Sequence, residues 1–303
     1  MVNSMKKITS IGEILFDLYG SREKPGGAPF NFIYHIIKLT GQGTFVSRVG
    51  ADERGERMRN ILKEKNISDR FLQIDKTHKT GIARTNLSDD KVPDFVIEEN
   101  CAYDFINKTD DLSKLIQQET DCLYFGTLAQ RSEVSRNTLQ SLFNKTTKYF
   151  CDLNIRQKFY SKDIIEKSIN VANVLKLNED ELKLVNNLIL KNSYDLENTA
   201  KEILNKFSLD LLCVTRGSKG SLLFKGNEDN YVKIKNENVI DTVGAGDAYA
   251  SVLCLGYLKG FSIKKINWIA SQFANEIVKV EGALPTDDSI YDTFIELLEE
   301  NDE

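Results

Sequence analysis

Histidine is almost missing from this chain: His35 and His78 are the two in 303 residues. Neither falls in an H-E-x-x-H helix or a Cys/His ligand spacing, so a zinc centre is not expected. With no G-x-S-x-G elbow either, a Ser-His-Asp hydrolase is set aside. Proline is scarce, at four residues, and no low-complexity stretch marks a linker, which favours one domain over residues 1–303. Five cysteines (Cys101, Cys122, Cys151, Cys213, Cys254) are odd in number and form no C-x-x-C pair. That pattern suits reduced, buried thiols in a cytoplasmic protein. No basic excess exists, since 40 Lys+Arg face 45 Asp+Glu for a net charge of −5. Nucleic acid is therefore not an expected partner. The longest mostly apolar stretch, Ala248 to Leu258, is far below the ~20 residues of a bilayer span. Met1 to Lys7 lacks the apolar core of a signal peptide, so neither a membrane partner nor export is expected.

What the chain does carry is alternation. From about residue 120, short β-type runs (Cys122–Phe125, Tyr149–Leu153, Val174–Leu177, Leu211–Thr215) alternate with helical patterns near 134–144, 163–170 and 179–190. Such alternation implies βαβ crossovers, a mostly parallel sheet and ligands at the carboxyl ends of its strands. The first third differs. Ile8 to Ile14 is strand-like, Phe16 to Tyr19 continues as a second extended piece, and Pro29 fits the first turn of a helix running to Leu39. Runs at 81–86 and 95–97 flank a polar turn, Ser88 to Lys91, and predict a β-excursion serving as a lid, formed by about 13–25 and 80–104. Helices are expected at 245–259, 262–280 and 287–299. The stripe Ile263, Ile266, Ile269, Phe273, Ile277 has helical spacing and is assigned to the core.

The segment richest in chemistry is Asp241-Thr242-Val243-Gly244-Ala245-Gly246-Asp247. Glycines opening a helix let an anion approach the amides of the first turn. Its G-x-G opening resembles the start of a dinucleotide fingerprint, but that motif should begin a βαβ unit with an acidic residue ~20 positions on. Here Lys264, Lys265 and Asn267 stand there instead. Alone, Asp247 would be read as complementing the helix dipole, worth about 0.3–1 kcal/mol. Beside an anion cradle it reads as the general base that takes a proton from a hydroxyl attacking a transferring phosphoryl group.

Asp241 to Tyr249 resembles the second signature of the ribokinase-like (PfkB) carbohydrate kinases, with Tyr249 in place of the common Phe. Gly26-Gly27-Ala28-Pro29-Phe30-Asn31 and Val49-Gly50-Ala51-Asp52-Glu53-Arg54-Gly55 resemble the first signature. Asp152 to Arg156, Asn178 to Glu181 and Thr215 to Gly220 follow in the family's order over nearly the whole chain. The resemblance implies a three-layer α/β fold with a mostly parallel sheet, helices on both faces and a small β lid. It also implies ATP-dependent phosphorylation of a sugar hydroxymethyl.

Carried over by position, Asp247 is the implied base, and the amides of Gly244, Ala245 and Gly246 the implied anion hole. Asp17, Gly27 and Asn31 match sugar-site residues, while Thr215 and Gly217 match the nucleotide turn. Asn178 to Glu181 reads by itself as a capping box. In relatives the same motif orients magnesium and phosphates, with Glu181 acting through water. Arg156 could clamp a phosphate or sugar oxygen, or be a surface arginine. Arg84 reads as a surface residue of the lid, and Lys219 lacks a P-loop context. Glu299, Glu300, Asp302 and Glu303 form a solvated tail. ATP and Mg²⁺ are expected, with K⁺ near Asp241 and Val243.

Gly26 to Pro29, Gly12 to Asp17 and D-x-N-x-R are most similar to fructokinases, so fructose to fructose 6-phosphate is the expected reaction. A sugar acid (2-keto-3-deoxygluconate) or ribose is the alternative substrate, and a non-catalytic sugar or nucleotide sensor the alternative of another class. Exposed lid strands that pair between subunits imply a homodimer.

Overall fold

Central strands that are buried on both faces need apolar residues in succession rather than alternation. Cys122–Phe125 is such a run, with all four residues buried. The computed structural model describes residues 6–19, 22–87, 93–235 and 238–300, with side chains outside 85–95. The strands of the first half are β1 (Ile8–Ile11), β2 (Leu15–Tyr19), β3 (Arg22–Gly26), β4 (Thr44–Gly50), β5 (Leu72–Asp75), β6 (Gly81–Leu87) and β7 (Pro93–Ile97). Those that follow are β8 (Cys122–Phe125), β9 (Lys148–Asp152), β10 (Val174–Asn178), β11 (Leu211–Thr215), β12 (Ser221–Lys225) and β13 (Glu228–Val232).

Nine of them form one sheet in the order β13-β12-β11-β10-β9-β8-β1-β4-β5. It is parallel from β11 to β5, and β12 and β13 run antiparallel at one edge. One apolar cluster, including Phe30, Val252 and Phe273, covers one face, and a second, including Leu112, Ile165 and Ala200, covers the other. The molecule is thus the expected three-layer α/β fold. All five cysteines are buried and unpaired. Among the described residues no helix is long and apolar enough to cross a membrane.

Two helices aim their N-termini at the carboxyl ends of the parallel strands. Helix Ala28–Thr40 starts from Gly27 with Pro29 in its first turn, and Ser10 Oγ on β1 donates to the Pro29 carbonyl at 2.7 Å. Helix Ala245–Lys259 starts from Gly244 at φ +79° and stops at left-handed Gly260. Its residues Ala248–Gly256 are all buried, as suits a helix apolar all round.

Several boundaries differ from the sequence expectation. β1 ends at Ile11, because Gly12 takes φ +152° and sends the chain into a separate sheet. The pattern at 179–190 is an α-helix only to Val185. Asn186–Leu190 widens into a π-turn closed by the Lys191 amide on the Asn186 carbonyl at 2.6 Å. At the end of the chain a 3₁₀ turn, Asp288–Tyr291, precedes helix Asp292–Glu299.

The separate sheet, in the order β3-β2-β6-β7, spans residues 15–26 and 81–97. Residues beyond β7 leave it. The buried Arg131 guanidinium bonds the Glu98 carbonyl, the Tyr103 hydroxyl and the Asp104 carboxylate, which ties this segment to the main body. The turn Ser88 to Lys91, and Asp302 and Glu303 of the acidic tail, lie outside the described residues.

Candidate active site

A cavity of about 320 Å³ lies where the carboxyl ends of β1, β9 and β10 face the small sheet. β2 contributes Asp17, helix Ala28–Thr40 contributes Asn31, the segment after β9 contributes Arg156, and the start of helix Ala245–Lys259 contributes Gly246 and Asp247. Gly27, Val243 and Gly244 line it as well. Stretches up to 230 residues apart in the chain therefore meet at one position, as ligand sites in open α/β sheets do.

Asp247 lies in the first turn of its helix, and its Oδ2 accepts a 2.8 Å hydrogen bond from Asn31 Nδ2. Burial pushes its carboxyl up to about 6. The Asn31 bond and the charges of Lys176 and Arg156 act the other way, while Asp152 adds to the rise. A carboxylate that titrates near neutrality can both accept and hold a proton at working pH. Asn31 Oδ1 is buried with no partner, an acceptor left for a donor in the cavity.

The amides that precede Asp247 are not equivalent. The Asp247 and Ala248 N–H groups bond the Gly244 carbonyl at 3.0 and 2.9 Å, and the Ala245 N–H makes a long 3.4 Å bond to the Thr242 carbonyl. The Gly244 and Gly246 N–H groups have no protein acceptor among the described residues. Of the three residues of the implied anion hole, Gly244 and Gly246 line the cavity and Ala245 does not. Gly244 is required on two counts. Its φ is +79°, and a Cβ there would collide with Ala283.

Two further carboxylates face the cavity. Burial pushes Asp17 up to about 7 against the opposing charge of Arg156, with Asp247 and Asp241 adding to the rise. Glu13 is 3% exposed, and burial lifts it to about 7 as well. Its Oε2 has no partner. Among the described residues no hydrogen bond or ion pair engages the Arg156 guanidinium, and Arg156 is exposed at the cavity wall. Gly27 has φ +114°, and a methyl group there would sit 2.5 Å from the Glu13 carbonyl oxygen. It is glycine for close packing as much as for ligand approach.

Lys176 was not singled out from the sequence, and Glu13 and Asp152 stood in quoted motifs without a role of their own. Lys176 Nζ pairs with Asp152 Oδ1 and Oδ2 at 3.0 and 2.8 Å, with both side chains buried. Burial pulls the ammonium's pKa down, and the Asp152 carboxylate more than restores it. One signal was present: a lone charge inside the otherwise apolar β10 run Val174-Leu175-Lys176-Leu177.

The remaining expected residues lie apart. Asn178, Thr215 and Gly217 line a second cavity of about 260 Å³ with Arg216, Lys183 and Lys219. Glu179 there accepts from Arg216 at 2.9 Å. Arg84 is exposed, pairs with Glu98 at 2.9 Å and lines neither cavity. Asp241 braces the loop ahead of Gly244, accepting from the Val243 amide at 3.0 Å and the Gly282 amide at 2.9 Å.

Metal ligands are sparse. Among the described residues no group of three or more His, Cys, Asp or Glu side chains is placed to hold an ion. Glu181 is buried, and its Oε1 and Oε2 accept from the Ile155 and Asn178 amides at 2.6 and 2.7 Å in a full capping box. His35 and His78 are elsewhere, bonded to Tyr291 and Asp75.

The family model described as pfkB family carbohydrate kinase matches residues 5–289. The fructokinase of Salmonella typhimurium is 26% identical over 261 residues, covering 82% of this chain and 83% of that protein. A sugar kinase of Pyrococcus horikoshii, solved in complex with ATP, is 27% identical with a TM-score of 0.78, covering 91% of this chain and 93% of that one. Fructokinase from Vibrio cholerae O395, solved with fructose, ADP and calcium ion, has a TM-score of 0.77 at 24% identity. The match covers 95% of this chain and 99% of that one, and at this identity the likeness is one of fold.

Proposed function

This chain belongs to the pfkB family of carbohydrate kinases and is a sugar phosphotransferase, and from that premise we propose that it phosphorylates fructose to fructose 6-phosphate. The relative from Salmonella typhimurium carries the name fructokinase, which supports this choice of sugar. As a kinase it uses ATP with a divalent metal, which neutralises charge between the β- and γ-phosphates.

In this reading the sugar lies in the larger cavity. Its hydroxyls donate to Asp17 and to the partnerless Asn31 Oδ1, while Gly27 and Arg156 form the wall. The 6-hydroxyl faces Asp247, whose Oδ2 is engaged by Asn31 and whose Oδ1 receives the proton as the oxygen attacks the γ-phosphorus. The bond from phosphorus to the β–γ bridging oxygen breaks and ADP leaves. Amides of Gly244 and Gly246 bond the phosphoryl oxygens as charge builds on them. Thr215 and Gly217 hold the nucleotide from the second cavity, and Asn178 orients it with Glu181 beneath. K⁺ at the loop of Asp241 and Val243 would depend on backbone carbonyls, because the Asp241 carboxylate already accepts two amides. The small sheet closes over the sugar and excludes water. Its edge strands β3 and β7 each pair on one side only among the described residues, which supports a homodimer formed through them.

The observation that carries the reading is the Asp247 carboxylate, raised to about 6 and sharing a helix start with two acceptor-free amides. Three carboxylates facing one partnerless guanidinium favour a neutral sugar over a sugar acid. A panel of fructose, ribose, glucose, 2-keto-3-deoxygluconate and fructose 1-phosphate, assayed for ADP release with product identified by ³¹P NMR, tests it. Highest kcat/KM on fructose with a 6-phosphate product is expected. A preference for ribose or the sugar acid overturns the choice of substrate.

A further inference from the structure

Lys176 stands where the fold calls for an apolar side chain. β10 is an inner strand between β9 and β11, and Lys176 is 6% exposed. An ammonium so placed is costly unless it is paired. Its ladder neighbour on β9, Asp152, supplies both carboxylate oxygens. Asp152 is fixed in turn by the Tyr124 hydroxyl, which donates to Oδ2 at 3.1 Å. Stability does not require such a set, since well-packed apolar residues in place of a buried ion pair are often neutral or better.

The pair also faces something. Lys176 lines the larger cavity with Gly246 and Asp247, and a methyl group on Gly246 would stand 3.5 Å from Nζ. An ammonium has three N–H donors. Asp152 takes two, and no acceptor for a third is present among the described residues. Three residues with donors that lack acceptors among the described residues thus line one cavity: Gly244 and Gly246 with their amides, and Lys176 with its ammonium.

We propose that Lys176 is a catalytic residue that contacts the transferred phosphoryl group, with Asp152 and Tyr124 as the positioning residues that hold its ammonium under the first turn of helix Ala245–Lys259. This rests on the phosphoryl-transfer reading above. Lys176 keeps its proton throughout, because the hydroxyl proton goes to Asp247. The ammonium donates a charge-assisted hydrogen bond to an equatorial oxygen while the new oxygen–phosphorus bond forms and the bond to the ADP oxygen breaks.

The test removes both charges at once, in Lys176→Met/Asp152→Asn, so that neither remains buried alone. The probe is ADP with aluminium fluoride and sugar, a stand-in for the phosphoryl group in flight, titrated calorimetrically against ADP with sugar. We expect kcat to fall about 10²-fold or more, and affinity for the aluminium fluoride complex to fall by a similar factor. ADP affinity and the sugar KM should stay within about threefold of wild type. A purely structural pair would lower the melting temperature yet leave the ratio of the two affinities unchanged, and that result overturns the proposal. Should the variant not fold, a crystal structure of the wild-type protein with the same probe decides. Nζ within about 3.2 Å of a fluoride supports the contact, and a separation beyond about 4 Å refutes it. Asp247→Asn separates the two claims. Full turnover in that variant would remove the proposed base, while the contact with the aluminium fluoride complex would still be read on its own.

Discussion

Asn31 Nδ2 donates to Asp247 Oδ2 at 2.8 Å, joining two residues 216 positions apart in the sequence. The bond leaves one oxygen of the carboxylate for a proton and pulls the carboxyl's pKa down against the upward push of burial. Asn31 therefore acts on both the free oxygen and the acidity of the proposed base.

Asn31→Leu should raise the Asp247 pKa above its value of about 6. The ionised base is then lost at higher pH, so the acid limb of the kcat profile moves up by about one unit. Activity lost at pH 6.5 should return in part at pH 8.5. A profile that falls in height without moving would assign Asn31 to sugar binding alone.

Glu13 gives a prediction of the opposite kind. Its carboxyl is lifted from an ordinary 4.5 to about 7 by burial, opposed by backbone amides and Arg156 and reinforced by Asp247. Between these values the folded protein keeps a proton that the unfolded chain gives up. Stability from this group is full below pH 4.5 and is lost as pH rises through 7. Glu13→Gln should match the wild type near pH 4.5 and exceed it at pH 8 by up to about 3 kcal/mol. Urea unfolding of the ligand-free protein at both pH values measures this, and a difference independent of pH contradicts it.

Gly244→Ala places a Cβ at φ +79° and against Ala283. Backbone strain of this sort costs about 1–3 kcal/mol. Because the same residue starts the helix that carries Asp247, kcat should fall about tenfold or more with it. A thermal melt paired with initial rates checks both. Wild-type turnover in a destabilised variant would detach the glycine from catalysis.

On the proposed reading the second cavity holds the nucleotide and the first the sugar. Lys219→Ala and Thr215→Val both alter its lining. They should raise the KM for ATP severalfold and leave the KM for sugar near wild type. An effect on the sugar constant alone would place the nucleotide elsewhere.

Legibility in the sequence followed distance along the chain. Asp241 to Asp247 was readable because a turn, two amides and a carboxylate fall within seven residues, and local spacing fixes their geometry. Thr215 and Gly217, two positions apart, share the lining of the smaller cavity for the same local reason. Glu13 was not readable, since Gly27 packs against its carbonyl and the Ala28 amide faces its carboxyl from 14 and 15 residues further on, and no local pattern encodes that approach. Lys176 and Asp152 are ladder partners on adjacent parallel strands, so their pairing depends on a register that single-strand patterns leave open. Asn31 was read as a sugar contact, and its bond to Asp247 depends on how two helix starts converge. The β12–β13 hairpin escaped notice because Glu228–Val232 is mostly polar and exposed, and lacks the apolar run of the inner strands.

The most direct measurement is the rate of ADP release by Asp247→Asn with saturating ATP and fructose, beside calorimetric binding of both ligands. The account predicts a fall of about 10³-fold or more in kcat, with fructose and nucleotide still bound within a few-fold of wild type. Near-normal turnover from a protein that binds both would contradict it.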